Sequence, residues 1–154
     1  MTHTARIDYN TLAPKAMKAL LTLSMTANSS PIGKRLIDLV LLRVSQINGC
    51  AFCIDMHWAD LLKQGVEPRK VNAVAGWREA HRFFDDKYRA AFAWAESVNA
   101  VPQRSPSDDE FEEMKRHFSE AEIAELTFCV AAIRGWNMLN ASFHMPVPET
   151  PYAA

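Results

Sequence analysis

Apolar residues recur along most of this chain three and four apart, and nowhere alternate with polar ones over a sustained run. Met17, Leu20, Leu21, Leu23 and Met25 give apolar surface to a helix over about 14–27, with Pro14 in its first turn and Asn28-Ser29-Ser30 closing it. Ser30-Pro31 restarts the chain, as N-cap and first helical residue, into a helix over about 31–47. Ile32, Leu36, Leu39, Val40, Val44 and Ile47 make that helix heavily apolar, which predicts a central and largely buried element. A third helix, over about 50–64, ends at Gly65 as its C-terminal cap. Pro68 opens a short helix over about 68–75, Gly76-Trp77 interrupts it, and residues 77–84 are ambiguous. Asp85-Asp86 caps a helix over about 86–99, with Tyr88, Ala91, Phe92, Trp94, Ala95 and Val98 on one face. After a loop with Pro102 and Pro106, Ser107 caps a short acidic helix over about 108–117. Ser119 with Glu122 is a capping-box pair that opens a long helix over about 120–141. Residues 1–10 read as an extended lead-in, and Met145-Pro146-Val147-Pro148 with Pro151 as a non-helical tail. The pattern predicts an all-α fold of about seven helices.

A weak internal repeat adds to this picture. Asp38-Leu39-Val40-Leu41-Leu42-Arg43-Val44 can be laid over Glu125-Leu126-Thr127-Phe128-Cys129-Val130-Ala131. The same register carries Cys50 to Asn137, Cys53 to Asn140 and His57 to His144. It suggests two weakly repeated helical halves, with thiols in the first copy and amides in the second.

Length and composition narrow the function classes. A chain of 154 residues, 49% hydrophobic and 23% charged, is expected to form one domain over 1–154 with a real core. A net charge of -1 offers no attraction to nucleic acid or to an anionic membrane, and neither is expected as a partner. Apolar runs such as Leu39 to Leu42 are too short to span a bilayer, and Met1 to Asp8 holds no apolar signal core. A cytoplasmic location follows as the expectation. Thiols are mostly reduced there, so closely spaced cysteines read as catalytic, redox-active or metal-binding.

Two of the three cysteines, Cys50 and Cys53, form a Cys-X-X-Cys pair, and His57 follows the second by four. On a helix all three share one stripe. Asn48-Gly49 is a break signal that puts Cys50 in the first turn of the new helix, where unpaired N–H groups and the helix dipole favour a thiolate. Three readings stand open at this point. The cysteines can be buried and inert. They can hold zinc with His57, although structural zinc sites use four ligands and Cys129 has no companion cysteine. Or they are a dithiol redox centre, with His57 as base and the preceding helix's Asp38 as the carboxylate that orients it. A thiolate oxidised by peroxide becomes a sulfenic acid, the second thiol condenses with it to a disulfide, and an external dithiol reduces that disulfide by exchange.

Ser45-Gln46-Ile47-Asn48-Gly49-Cys50-Ala51-Phe52-Cys53 followed by His57 closely resembles the core motif of the carboxymuconolactone decarboxylase and alkyl hydroperoxidase D superfamily, in its peroxidase-like branch. The resemblance continues through Ala75 to Glu79, Ala90 to Glu96 and Phe118 to Leu126, and covers roughly residues 15–145 as the domain core. It implies an AhpD-like all-helical fold, a homo-oligomer (trimer or hexamer) and reduction of organic hydroperoxides or hydrogen peroxide. It implies no bound cofactor and no metal, and an external dithiol reductant of the lipoyl or thioredoxin kind. It also implies that Cys53, activated by His57, reacts with peroxide, while Cys50 resolves the intermediate and faces the reductant; the helix terminus taken alone favours Cys50 as the more acidic thiol. Two departures stand out. Asp38 occupies the place where the family usually has Glu, one methylene longer, and Phe52 lies where some members carry a histidine between the cysteines. The decarboxylase branch generally lacks the cysteine pair, so muconolactone decarboxylation is not expected. A general thiol–disulfide reductase, or a non-catalytic metal-binding or structural oligomer, are the alternatives.

The remaining candidates have plainer readings. Cys129, among Leu126, Phe128, Val130 and Ile133, is expected in the core, and His144 at a surface or interface. His81 and His117 have no partner pattern. Trp77, Trp94 and Trp136 are expected to pack, and Trp58 to line a cleft or make a core or oligomer contact.

Overall fold

The structure is a computed structural model that describes residues 4–150, apart from the side chains at 27 and 28. Among the described residues it is all-α. The helices are α1 (Tyr9–Leu12), α2 (Pro14–Asn28), α3 (Lys34–Asn48), α4 (Ala51–Lys63), α5 (Pro68–Asn72), α6 (Asp86–Asn99), α7 (Asp108–Lys115) and α8 (Glu120–Ser142), with a 3-10 turn at Ala73–Gly76 after α5. Residues 1–3 of the expected lead-in and Pro151 of the expected tail lie outside the described residues.

The apolar pattern of α3 makes it the centre of the fold. Ile37, Leu39, Val40 and Val44 are fully enclosed, and the helix packs against α4, α6 and α8. Helix α8 supplies Ile123, Leu126, Val130 and Ile133 to the same core, and α6 supplies Ala91, Phe92 and Ala95. Polar contacts fix how these helices meet. Glu96 on α6 accepts from Arg43 of α3 at 2.7 Å and from the indole of Trp77 at 2.9 Å. Trp94 donates to Thr127 of α8, and Trp136 of α8 donates to Ser24 of α2.

Local sequence sets most helix ends. Ser107 with Glu110 and Ser119 with Glu122 form complete capping boxes at α7 and α8. Two glycines end helices in the left-handed conformation. At Gly49, with φ of 69°, the Cys50 N–H reaches back to the Ser45 carbonyl; at Gly65, with φ of 73°, the Val66 N–H reaches the Leu61 carbonyl. Both are Schellman closures, which need positive φ at little cost only from glycine.

Two boundaries differ from expectation. The lead-in contains α1, because the Asp8 side chain accepts from the Asn10 N–H and caps a short turn. Helix α3 begins at Lys34 rather than at Pro31. Ser30 is not its cap: that hydroxyl donates to Glu125 of α8 and accepts from the Ile32 N–H, so the chain turns through Gly33, at φ of 100°, before entering the helix. The second copy of the suggested repeat is also not a helix–turn–helix. Trp136 stands where the first copy has Gly49, so α8 runs unbroken through Asn137 and Asn140, and His144 falls beyond its end.

Candidate active site

Gly49 both ends α3 and delivers Cys50 to the N-cap position of α4. The Cys50 sulfur accepts the Cys53 backbone N–H at 3.3 Å, taking the place that a serine or aspartate oxygen usually fills. One turn on, Cys53 lies on the inner face of α4. The two cysteines are joined as a disulfide, with Cα atoms 5.3 Å apart. Both are almost wholly enclosed, Cys50 at 2% exposure and Cys53 at 1%.

His57 follows on the same face, one turn beyond Cys53, and is 5% exposed. Neither of its ring nitrogens has a hydrogen-bond partner among the described residues. Burial disfavours the imidazolium and pushes the His57 pKa down to about 4; the Asp38 charge opposes that shift and Lys34 adds to it. The imidazole is therefore neutral at ordinary pH and able to accept a proton.

Asp38 sits where the reading of the sequence places it, buried on α3, and its charge reaches His57. Its hydrogen bonds go elsewhere. The carboxylate accepts from Lys34 at 2.7 Å and from the Gln64 amide at the end of α4. Gln64 was not singled out in the sequence, and its only signal there was its place beside the Gly65 cap. The short Asp side chain is thus held by Lys34 and Gln64, and acts on His57 through space.

Helix α8 closes the site from the other side. Asn140 donates from Nδ2 to the Cys53 sulfur at 3.4 Å and accepts the Tyr9 hydroxyl at Oδ1, at 2.7 Å. Asn137, one turn earlier, donates to Ser45 and accepts from Asn48, which is paired in turn with Asn99. A sequence signal for these existed: two asparagines three apart, on the inner face of the long last helix. Tyr9 carried none.

A cavity of about 290 Å³ opens beside the disulfide. Gly49, Cys50, Ala51 and Phe52 line it from the turn into α4 and its first residues, and Asn140, Ala141, His144 and Met145 from the end of α8 and the residues after it. Cys129 is remote from this chemistry in kind: burial, with the Glu125 charge, pushes its thiol up to about 12. It is a core residue, as expected. His117 meets Glu113 at 3.1 Å, and Trp58 is exposed. Among the described residues no group of three His, Cys, Asp or Glu is arranged to hold a metal ion, and no helix is long and apolar enough to cross a membrane.

Residues 14–97, which carry the disulfide, His57 and Asp38, match the carboxymuconolactone decarboxylase family. The chain belongs to that family. Within it, the uncharacterized protein YdfG of Bacillus subtilis is 30% identical over 135 residues, covering 88% of this chain and 91% of that one. Alkyl hydroperoxide reductase AhpD of Caulobacter vibrioides is 41% identical over 62 residues, 40% of this chain and 33% of that protein. The crystal structure of a protein of unknown function from Agrobacterium tumefaciens superposes with a TM-score of 0.90 at 35% identity, covering 96% of this chain and 100% of that one. The debrominase Bmp8 shares the fold at 21% identity and a TM-score of 0.79, over 90% of this chain and 74% of that one. The AhpD-like helical fold expected from the motif is therefore the fold of this chain, and a peroxidase-type oxidoreductase is a chemistry that its family and its cysteine pair fit.

Proposed function

We propose that this protein is a dithiol peroxidase that reduces small organic hydroperoxides or hydrogen peroxide through Cys50 and Cys53. The observation that carries the reading is the Cys50–Cys53 disulfide with a buried, neutral, unpartnered imidazole one turn away. A buried polar group without a partner calls for a physical reason. Here the reason is that the Cys53 sulfur, its natural partner at that helical spacing, is engaged in the disulfide.

In the reduced protein His57 accepts the Cys53 thiol proton. The thiolate attacks the distal oxygen of R–O–OH, the O–O bond breaks, and the alkoxide takes a proton to leave as R–OH. Cys53 is left as a sulfenic acid. The Cys50 thiolate then attacks that sulfur, the hydroxyl leaves as water with a proton from the site, and the disulfide re-forms. An external dithiol of the lipoyl or thioredoxin kind attacks the sulfur of Cys50, the cysteine that lines the cavity, and releases Cys53 as thiolate; its second thiol then displaces Cys50 as thiolate, and the reductant departs as its own disulfide. Asp38 supports the transient imidazolium by charge. No cofactor takes part in this cycle.

Mass spectrometry after one equivalent of peroxide tests the scheme. The expected products are a Cys50–Cys53 disulfide in the native sequence and a trapped sulfenic acid on Cys53 in Cys50→Ser. Two intact thiols, or a sulfenic acid on Cys50 in a Cys53→Ser protein, would overturn it. A second reading, a general thiol–disulfide reductase, is favoured by the cavity bordering Cys50. Faster turnover of a model disulfide than of cumene hydroperoxide selects it.

The same reading includes a homo-oligomer. Ala121, Ala124, Phe128, Ala131 and Met138 form an uncharged exposed stripe on α8, with Phe128 at 58% and Met138 at 63% exposure. Phe128→Glu is expected to lower the sedimentation coefficient to that of a monomer. A native protein that already sediments as a monomer sinks this part of the proposal.

A further inference from the structure

The two sulfurs of the pair receive different donors. Cys50 has a backbone N–H at the start of α4, which by itself would make it the more acidic thiol. Cys53 has a side chain from far along the chain, Asn140, which is buried at 5% exposure. The amide orientation is fixed by its partners: the Tyr9 hydroxyl donates into Oδ1, and that leaves the NH2 group toward sulfur. Tyr9 is itself held. Its ring packs against Trp136 and Phe143, and next to it the Arg6 N–H bonds the Phe143 carbonyl while the Arg6 guanidinium bonds the Ser142 carbonyl. Asn137 differs in kind, because both ends of its amide are taken by Ser45 and Asn48.

We propose that Asn140, oriented by Tyr9, belongs to the redox centre: its amide N–H holds the Cys53 sulfur as a thiolate once the disulfide is reduced, and so makes Cys53 rather than Cys50 the attacking thiol. A disulfide sulfur is a weak acceptor and a thiolate a strong one, so this hydrogen bond strengthens when the reactive form appears. Burial of both groups, Asn140 at 5% and Cys53 at 1% exposure, strengthens it further. Asn140 touches the reacting atom, and Tyr9 acts through Asn140 as a positioning residue. The N-terminal arm therefore completes the site, although it lies outside the Cys-X-X-Cys region of the chain. This inference rests on the reading of Cys50 and Cys53 as a redox pair.

The test uses the full chain in a Cys50→Ser background, reduced, and follows iodoacetamide alkylation of Cys53 against pH by peptide mass spectrometry. Asn140→Ala is expected to raise the alkylation midpoint by about one pH unit, the size of one lost charge-assisted hydrogen bond. Tyr9→Phe, which keeps the ring packing, is expected to raise it by a smaller amount. An unchanged midpoint in a helical Asn140→Ala protein overturns the assignment. Should Asn140→Ala not fold, Tyr9→Phe decides alone, and an unchanged midpoint there overturns it equally. No peroxide enters the measurement, so a protein that fails to consume peroxide counts against the proposed function and not against this role.

Discussion

Cys53→Ser is expected to lower peroxide consumption about a thousand-fold or more, the scale of loss when the nucleophile of a site is removed. Serine fits the space of the cysteine, so the enclosed environment on α4 is kept. Its hydroxyl does not ionise near neutral pH, however, and a neutral imidazole cannot hold it as an alkoxide. Cys50 does not substitute for it. Cys50 has its backbone donor but lies at the N-cap, a turn further from His57, and lacks the Asn140 contact. The assay is consumption of cumene hydroperoxide with excess dithiothreitol. Under those conditions the native protein also spends time without its disulfide, so loss of a cross-link does not masquerade as loss of chemistry. Cys50→Ser is the informative companion. Pre-reduced and assayed without added reductant, it should consume about one equivalent of peroxide per chain quickly and then stop, because the sulfenic acid lacks its resolving thiol. A Cys53→Ser protein that turns over at the native rate removes the peroxidase scheme altogether.

The parts of this fold that were legible in the sequence are those whose causes are local. Ser119 with Glu122, Ser107, Asp85 and Gly65 act within one helical turn of themselves, and each caps the helix it was read to cap. The heavy apolar run of α3 likewise put that helix at the centre. The late start of α3 has a distant cause. Ser30 and Pro31 look like a helix start, but Ser30 answers to Glu125, which a spacing argument cannot see. The second copy of the suggested repeat differs from the first for a local reason. One residue, Trp136 in place of Gly49, decides whether the chain can turn, and the aligned side chains end on an unbroken helix.

The site divides the same way. Cys50, Cys53 and His57 share a face because they share a helix, and that follows from spacing alone. Asp38 is buried on α3 and its charge acts on His57, but its side-chain geometry was not legible. A carboxylate one methylene shorter than its family counterpart finds Lys34 on its own helix and Gln64 across the gap. Asn140 and Tyr9 arrive from opposite ends of the chain, and only the packing of α1 onto the end of α8 brings them to Cys53. Long-range polar contacts of this sort need the fold first.

Acid sensitivity follows from His57, and its sign can be worked out. The folded imidazole has its pKa pushed down to about 4 by burial, against an ordinary 6.5. Between those values the unfolded chain binds more protons than the folded one, so stability rises with pH across that window. The contribution is fully present above 6.5 and is lost as pH falls toward 4. From pH 7 to pH 5 this one group should cost the oxidised protein about 2 kcal/mol of unfolding free energy. Urea unfolding of native and His57→Gln proteins at the two pH values isolates it. The charges that act on the imidazole, Asp38 and Lys34, are present in both proteins, and so are the surface carboxylates. The native protein should therefore lose about 2 kcal/mol more than the variant on acidification. Equal losses would mean that the imidazole is hydrated or partnered, and the base assigned to Cys53 would go with it. The same desolvation that makes the imidazolium costly in the resting protein keeps His57 neutral; the Asp38 charge offsets part of that cost, and a thiolate formed at Cys53 would offset more of it.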